Sequence, residues 1–493
     1  MCLRTLLESP KSWSRRTMRR SLITLAAVIF AGVAFSFAAT PSAQANSSDA
    51  DLKGAFRRTQ TNGWTFVHLQ GTPHQIGFQN GFLLAPEIED ALKVVALETT
   101  HDNNKEWQFF RDAAQNIMWP HIEPEYREEL QGIADGINAH GLTKGTKIDL
   151  WDIVALNAAE EWSYYVKEYD QARGIKSASV ATPEHCSAFV ATGRYTKDGK
   201  IVIAHNNWTS YLDGQRWTII FDIVPAKGNR MLMDGLPGVI HSADDFVVNS
   251  AGIIITETTI GHFSGYDPNQ IPEFIRARKA AQYSSSIDDF ARIMKDGNNG
   301  GYANTWLIAD VNRNEIGQLE LGLKNVTLER KSDGYFVGSN FPINENLIRE
   351  ETDFDPHDMS SSANARHARW EQLMKENKGK IDVADAQRFL ADHFDTFENK
   401  DDPDERTLDG HIDLSSRGSQ PWMPPFGIAG AVQNKATDAK MASEMSFTAA
   451  AGHACGKDFK AADHLRAHPE FAWQKDLLRD MNASPWTTFT ATK

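Results

Sequence analysis

The spacing of apolar residues changes character part way along the chain. Between residues 86 and 165 the apolar side chains recur at intervals of three and four residues, which is the period of an amphipathic helix. Ile88, Leu92 and Val95 form one such set, and similar sets run through 130–137 and 150–156. This part of the chain is therefore predicted to be mainly helical.

Beyond residue 185 the pattern becomes one of short alternating runs separated by turn residues such as Asp198-Gly199. The runs predict strands at 186–191, 201–205, 217–224, 231–233, 246–249, 253–259, 305–310, 315–321, 326–330 and 335–339. Helical spacing returns at 271–283, 287–295, 363–375 and 383–393. Strands enclosed between helical blocks predict an α+β fold, in which two packed antiparallel sheets are covered by helices.

The first 45 residues have the organisation of an export signal. Four arginines between positions 15 and 20 precede an apolar stretch over 22–39, and Ala43-Gln44-Ala45 provides a small-x-small cleavage pattern. The stretch is barely long enough to span a bilayer and no second one follows, which favours a removed signal over a membrane anchor. We expect a secreted or periplasmic protein. The paired arginines are compatible with twin-arginine export, but they leave the pathway open.

Charge and length narrow the classes of function. The 493-residue chain has a net charge of −14, which becomes −19 once the leader's six basic side chains and one acidic side chain are removed. Such an acidic protein repels nucleic-acid phosphates and anionic head groups, so we expect no nucleic-acid partner and any lipid to bind as a single molecule. Length suggests about three domains. No linker-like segment interrupts 46–493, however, which is predicted to be one interwoven domain.

Cys186 is the residue of greatest chemical interest. The mature chain has one other cysteine, Cys455, and two free thiols are a better expectation than a disulfide in a protein of this size. Cys186 follows an aperiodic, small-residue segment at 170–184 and begins an apolar run. The alternative interpretation is a buried, inert thiol, which is the commoner fate of free cysteine.

Two polar residues favour a reactive thiol. The hairpin predicted at Asp198-Gly199 returns the chain beside Cys186, and His205 and Asn207 lie two apart on the returning strand. Both therefore point to one face, where they can orient the thiol.

Several stretches around these residues resemble the phospholipase B-like proteins, which are N-terminal nucleophile (Ntn) hydrolases. The matching stretches are Glu184-His185-Cys186-Ser187-Ala188, Ala204-His205-Asn206-Asn207-Trp208-Thr209-Ser210-Tyr211, Asp244-Asp245-Phe246, Glu257-Thr258-Thr259, Gly301-Tyr302-Ala303-Asn304-Thr305 and Lys435-Ala436-Thr437-Asp438. The early segment 71–81 also resembles the penicillin acyltransferase group, which shares the cysteine chemistry.

The resemblance implies a four-layer αββα sandwich of two antiparallel sheets between helical layers. It also implies self-cleavage of the bond between His185 and Cys186, which releases the helix-rich portion 46–185 from the nucleophile-bearing portion 186–493. Cleavage frees an α-amine on Cys186. With a pKa of about 7.7 to 8.0, that amine suits a base for the thiol of the same residue.

The same resemblance implies roles for further residues. Asn304 matches the asparagine with which choloylglycine hydrolases and their relatives supply an oxyanion donor. Arg366 matches an arginine near the nucleophile, and Arg369 is the rival position. Thr258 and Thr259 match twin threonines that line the pocket, with ordinary strand residues as the alternative.

Large aromatic residues offer a candidate acyl groove. Trp208, with the tryptophans at 217, 306 and 422, either lines such a groove or fills the core. No metal or other cofactor is expected. His453 and Cys455 are two ligands where a zinc site needs three or four, and the acidic run at 401–405 lacks the spacing of a calcium loop.

Three classes of function follow. The first is an exported hydrolase that removes acyl chains from phospholipids through an acyl-enzyme on Cys186. The second is an N-acyl amide hydrolase or acyltransferase of the penicillin acyltransferase type. The third is a non-enzymatic lipid-binding protein, which an uncut His185–Cys186 bond would favour. All three take a small acylated molecule, by preference a lipid, and the sequence leaves the oligomeric state open.

Overall fold

Strands occur from near the start of the described chain to its end, with a long helical block between the second strand and the third. The computed structural model describes residues 50–142, 147–175, 186–243 and 246–493. The strands are β1 (Phe56–Arg57), β2 (Thr65–Gly71), β3 (Ser187–Thr192), β4 (Val202–Ser210), β5 (Ile219–Pro225), β6 (Met231–Gly235), β7 (Val247–Asn249), β8 (Ile253–Thr259), β9 (Asn304–Asp310), β10 (Glu315–Leu321), β11 (Val326–Lys331), β12 (Gly334–Gly338), β13 (Phe394–Asp395), β14 (Lys400–Asp401), β15 (Ala429–Asp438), β16 (Ser446–Ala451) and β17 (Thr487–Thr490). Each predicted strand overlaps one of these, but β1, β2 and β13 to β17 were not predicted.

Most of these strands join two large sheets. One has nine strands in the order β1-β2-β5-β6-β7-β8-β9-β10-β11, and the other has six in the order β12-β3-β4-β15-β16-β17. Neighbouring strands are antiparallel except for β2 and β5, which run parallel. The short strands β13 and β14 form a separate ribbon.

Helices lie between strands along the described chain, and the longest run of them separates β2 from β3. They are α1 (Pro73–Leu83), α2 (Ala85–Asn103), α3 (Trp107–Ala113), α4 (Pro124–His140), α5 (Leu150–Asn157), α6 (Trp162–Ala172), α7 (Tyr211–Gly214), α8 (Glu273–Tyr283), α9 (Ile287–Lys295), α10 (Glu345–Glu351), α11 (Ser362–Glu376), α12 (Val383–Leu390), α13 (Ala439–Ser443) and α14 (Ala461–Ala467). The predicted α+β class is confirmed, as is the helical character of the segment before Cys186.

Alternation along the strands separates the apolar core into layers. Ile203 of β4 and Leu307 of β9 belong to a cluster to which both large sheets contribute. The opposite face of the nine-stranded sheet packs against α2, α4, α5, α8 and α9. The opposite face of the six-stranded sheet packs against α11 and α12, through Phe189 and Trp370 among others. Residues that point between the sheets are therefore shielded from solvent on both sides.

Helices α1 and α4 pack with their backbones in direct contact. A methyl group added to Gly77 or Gly81 of α1, or to Gly132 or Gly136 of α4, would overlap a backbone atom of the opposite helix. All four glycines lie inside regular helices, so close approach explains their presence better than conformational freedom does. This contact joins two helices of the segment that precedes Cys186.

Candidate active site

Cys186 lies immediately before β3. Its side chain is fully buried, and its backbone has a φ of 80°, a left-handed conformation that is strained for a residue with a side chain. Antiparallel pairing sets Ser187 of β3 opposite Asn206 of β4. His205 and Asn207 flank that position and point to one face of β4. The predicted hairpin is confirmed.

The thiol of Cys186 contacts groups from both large sheets. It lies 3.7 Å from Oδ1 of Asn207 on β4 and 3.8 Å from Oε1 of Glu257 on β8, distances at which a thiol donates a weak hydrogen bond. The sulfur, an imidazole nitrogen of His205 and a carboxylate oxygen of Glu257 all lie within 4.8 Å of one another. Tyr302 donates a hydrogen bond of 3.1 Å to Oε1 of Glu257. The site is thus assembled where the two sheets meet.

Glu257 and Tyr302 were missed as site residues, although both belong to stretches that carry the family resemblance. The sequence does contain a signal for Glu257. Glu257 interrupts a strand of isoleucines and threonines that is otherwise free of charge, and a carboxylate is rarely placed in such a strand unless its charge is used. Glu257 is indeed fully buried.

Arg366 lies one turn into α11 and binds the backbone of Cys186. Its buried guanidinium donates to the carbonyl oxygen of Cys186 at 2.6 Å and to Oδ1 of Asn340 at 2.7 Å. It also donates to the hydroxyls of Ser187 and Ser362 at 3.1 and 3.0 Å. These bonds fix the position of Cys186 through its main chain.

Trp208 contacts Arg366 on the face of β4 that lies opposite His205. Its ring lies 4.3 Å from the guanidinium, which is within cation–π distance. Alternation places Trp208 on the face opposite His205, where its indole nitrogen donates to the carbonyl of Leu408 at 3.4 Å. Its role in a substrate pocket stays a prediction. Arg369, the rival arginine, instead forms an ion pair of 2.6 Å with Asp392.

Asn304 begins β9 and pairs with Thr259 at the end of β8. Asn304 and Thr259 are fully buried, and Thr258 nearly so. Neither polar atom of the Asn304 amide, nor the hydroxyl of Thr259, makes a hydrogen bond to any described residue. Buried polar groups are normally satisfied, so these atoms are available to a ligand. Glu257, which contacts the thiol, lies two residues before Thr259.

A cavity of about 370 Å³ opens at the end of β4. Thr209, two residues beyond Asn207, contributes to its wall together with Asn103, whose Oδ1 has no hydrogen-bond partner among the described residues. The wall also contains acidic residues (Glu98, Asp102, Glu160 and Asp213) and aromatic ones (Trp422, Phe471 and Trp473). Burial, and then the neighbouring Asp213, raise the pKa of Glu98 well above its usual range. The cavity thus combines carboxyl groups with aromatic surface.

Some of the predicted features lie outside the described residues. They are the leader at 1–45, the residues Asp244 and Asp245, and the segment 176–185 with His185 of the proposed scissile bond. Cys186 and Cys455 are not joined in a disulfide, as predicted. Within the described part of the chain, no helix combines the length and the apolar composition needed to cross a bilayer.

Comparison with known proteins gives a consistent picture. The model of the family described as Phospholipase B matches residues 93–485. Phospholipase B-like protein C of Dictyostelium discoideum is 25% identical over 210 residues, covering 38% of this chain and 36% of the relative. Phospholipase B-like 1 of Bos taurus is 23% identical over 292 residues, covering 52% of this chain and 53% of the relative. The chain thus spans about a third to a half of the length of these relatives.

Proposed function

Because the chain belongs to the phospholipase B family, we propose that it is an exported hydrolase that removes acyl chains from phospholipids through an acyl-enzyme on Cys186. The observation that carries the proposal is the buried thiol of Cys186 beside His205, Asn207 and Glu257. An inert cysteine behaves as a small apolar residue and needs no polar surroundings. A nucleophile, in contrast, needs groups that fix its position and manage its proton.

The layered core supports an Ntn type of fold. Two packed sheets with helices on both outer faces correspond to the αββα order that the resemblance implies. In this arrangement a nucleophile at the start of a strand lies between the sheets, away from bulk water. We infer that 46–493 is one such domain and that residues 1–45 are an export signal.

Maturation would begin with attack of the Cys186 thiol on the carbonyl carbon of His185. The bond from that carbon to the Cys186 nitrogen breaks, a thioester to the sulfur forms, and the nitrogen takes up the thiol proton. Water then hydrolyses the thioester, leaving a carboxylate on His185 and a free amine on Cys186. The left-handed backbone at Cys186 supports this step, because cleavage relieves the strain.

In turnover, the freed amine would take the thiol proton and the thiolate would attack the acyl carbon of the substrate. The Asn304 amide would donate a hydrogen bond to the developing oxyanion. The amine then returns the proton to the leaving alcohol, and water releases the fatty acid from the sulfur by the same sequence. Asn207 and Glu257 hold the thiol, and Arg366 holds its backbone.

We propose that the cavity at the end of β4 binds the head group of the substrate. Its acidic and aromatic wall should favour a cationic head group such as choline over an anionic one. Comparison of the hydrolysis rates of phosphatidylcholine and phosphatidylglycerol at equal chain length tests this, and Asp102→Asn, which removes a carboxylate from the wall, should narrow the preference for the cationic head group. An enzyme that prefers the anionic lipid would exclude this assignment of the cavity.

The two alternative functions would use the same pocket, one with a different leaving group and the other without turnover. An N-acyl amide hydrolase or acyltransferase would share the Cys186 acyl-enzyme and differ in its leaving group, so N-acyl amino acids should be assayed beside phospholipids. A lipid-binding protein would retain the chain uncut between His185 and Cys186. A thioester intermediate trapped on residues 186–493 would argue against that third class.

Intact mass under denaturing conditions is the decisive experiment. We expect two chains, 46–185 and 186–493, with Cys186 at the second N-terminus. Cys186→Ala should give one uncut chain without turnover. Cys455→Ser is the matched variant, because it removes the only other thiol of residues 46–493 and keeps the attacking one, and it should still be cut, though more slowly than wild type if its loss disturbs the neighbouring loop. A single uncut wild-type chain with full activity, or equal loss of cutting in both variants, would overturn the mechanism.

A further inference from the structure

A second cluster of chemically reactive side chains includes the loop whose Leu408 carbonyl accepts the indole hydrogen bond of Trp208. His393 follows α12, Asp409 and His411 lie in the loop before β15, and Cys455 follows β16. One ligand atom from each of the four lies within 4.8 Å of every other. The sequence offered only His453 and Cys455 as neighbours, which are too few for a metal site. Folding brings the remaining ligands from distant segments.

The distances within the cluster suit a tetrahedral ion. Zinc bonds of about 2.0 to 2.3 Å place neighbouring ligand atoms about 3.3 to 3.7 Å apart. Nε2 of His393 lies 3.3 Å from Oδ2 of Asp409, and Nε2 of His411 lies 3.7 Å from the same oxygen. The sulfur of Cys455 lies 3.7 Å from Nε2 of His411. These three separations fall within the expected range.

Hydrogen bonding alone explains the contacts less well. A charge-assisted hydrogen bond between nitrogen and oxygen is about 2.7 to 2.9 Å long, which is shorter than the contacts of Asp409 with His393 and His411. Nε2 of His393 makes no acceptable hydrogen bond to any described residue. A cation between these atoms would satisfy all of them together.

An outer layer of polar groups surrounds the four. Nδ1 of His453 lies 3.4 Å from Oδ1 of Asp409, and the His453 ring stacks on His411 at 3.8 Å. Asp413 lies 3.9 Å from Nδ1 of His411 and accepts a hydrogen bond of 2.7 Å from Tyr211. Outer carboxylates that orient ligating histidines are a regular feature of metal sites.

We propose that Nε2 of His393, Oδ2 of Asp409, Nε2 of His411 and Sγ of Cys455 bind one divalent ion of the zinc class. Imidazole and thiolate ligands select zinc over calcium or magnesium, and four protein ligands leave no open position, which indicates a structural role. Asp409 and His411 are buried while Cys455 is exposed, so the ion can enter from the Cys455 side.

The ion would stabilise the support of the nucleophile. The carbonyl of Leu408 accepts the indole hydrogen bond of Trp208, and the carbonyl of Gly410 accepts a backbone bond of 2.9 Å from Ala431 on β15. Trp208 in turn lies under Arg366. A metal that fixes Asp409 and His411 therefore fixes the loop on which Trp208 rests. The role is one of positioning.

Metal content of the full chain tests the proposal. The protein should be produced without a histidine tag or chelator and measured by inductively coupled plasma mass spectrometry, with circular dichroism to verify folding. We expect one zinc per chain, at least a tenfold loss in Cys455→Ser and His393→Asn, and retention in Cys186→Ser. His357→Gln, an exposed histidine outside the cluster, is the matched control.

Cobalt provides a second readout. Co²⁺ added to the metal-stripped chain should produce the strong visible bands of a tetrahedral site and a near-ultraviolet thiolate band, and the latter should vanish in Cys455→Ser. Absence of both zinc and saturable Co²⁺ binding would overturn the proposal. The proposal would also be overturned if Cys186→Ser lost the metal while Cys455→Ser kept it, because the ion would then bind at Cys186. Neither readout depends on lipid hydrolysis.

Discussion

Asn304 and Asn340 form a matched pair in which truncation to alanine should change the stability of the protein to different extents. Both are buried. The Asn304 amide makes no hydrogen bond to any described residue, whereas Asn340 accepts a bond of 2.7 Å from Arg366 and donates one of 2.8 Å to the carbonyl of Thr259. Asn304→Ala therefore removes an amide that makes no hydrogen bond to the described residues. Asn340→Ala removes an amide that makes both of the hydrogen bonds just given.

The two variants should differ clearly in stability. Asn304→Ala removes a buried group whose unmet hydrogen bonds cost about 1 to 3 kcal/mol and leaves a cavity of comparable cost, so the free energy of unfolding should change by no more than about 1 kcal/mol. Asn340→Ala loses one bond to a charged group and one neutral bond, which together stabilise by about 3 kcal/mol. The left-handed φ of 65° at Asn340 adds to that loss, because alanine tolerates it poorly.

Turnover should respond differently from stability. Loss of an oxyanion donor lowers kcat by about 10² to 10³. We expect that loss in Asn304→Ala despite its normal stability, and also in Asn304→Asp, which keeps the shape but not the donor. Urea unfolding and fatty-acid release from lysophosphatidylcholine provide the two measurements, with rates normalised to the cut chain by intact mass.

Two results would refute this reasoning. Turnover of Asn304→Ala within about twofold of wild type would remove the amide from the mechanism, since the donor effect is far larger. A loss of stability equal to that of Asn340→Ala would mean that the Asn304 amide is bonded within the protein and is not reserved for a ligand.

Three further predictions concern packing, inhibition and pH. Gly132→Ala should lower the free energy of unfolding by about 2 kcal/mol or more, because the new methyl group overlaps the backbone of α1; an unchanged urea midpoint would contradict that packing. Added Zn²⁺ should inhibit turnover reversibly, since Cys186, His205 and Glu257 can close on one ion, and full activity at saturating Zn²⁺ would count against this geometry. Burial raises the pKa of Glu161 to about 7. The folded state then holds a proton that the unfolded state releases near pH 4.3, so stability should fall by roughly 3 kcal/mol as the pH rises from about 4.3 to 7. Glu161→Gln should flatten that dependence in urea unfolding, and an unchanged slope would reject it.

The fold was predictable where local pattern and tertiary environment agree. The helices before Cys186 have clear periodicity, and the strands from β3 to β12 alternate between turn residues. β15 escaped prediction because Ala429–Asp438 is rich in alanine, glycine and polar residues, which have low strand propensity. It becomes a strand because β4 and β16 pair with it on both sides.

Only the residues of the site that lie on one hairpin, or that the family resemblance implies, were predictable from the sequence. Cys186, His205 and Asn207 are joined by a short turn, so their proximity follows from strand geometry. Glu257 reaches the thiol from the other sheet, and no spacing in the sequence reports a contact of that kind. The cluster at Asp409 was overlooked for the same reason, because its ligands come from separate segments.

The assembly of the site from two sheets has a kinetic consequence for the proposed self-cleavage. The thiol is on the six-stranded sheet and Glu257 is on the nine-stranded one, so their contact exists only after the sheets have packed. The left-handed backbone of Cys186 likewise persists only when the surrounding structure imposes it. An unfolded precursor should therefore remain uncut in urea and cleave on dilution, at a rate independent of protein concentration because the reaction is intramolecular. Leu307→Ala, which leaves a cavity between the sheets, should slow the cleavage, whereas the exposed Leu142→Ala should not. Cleavage at the wild-type rate in urea, or a rate that rises with precursor concentration, would show that folding does not assemble the reactive geometry.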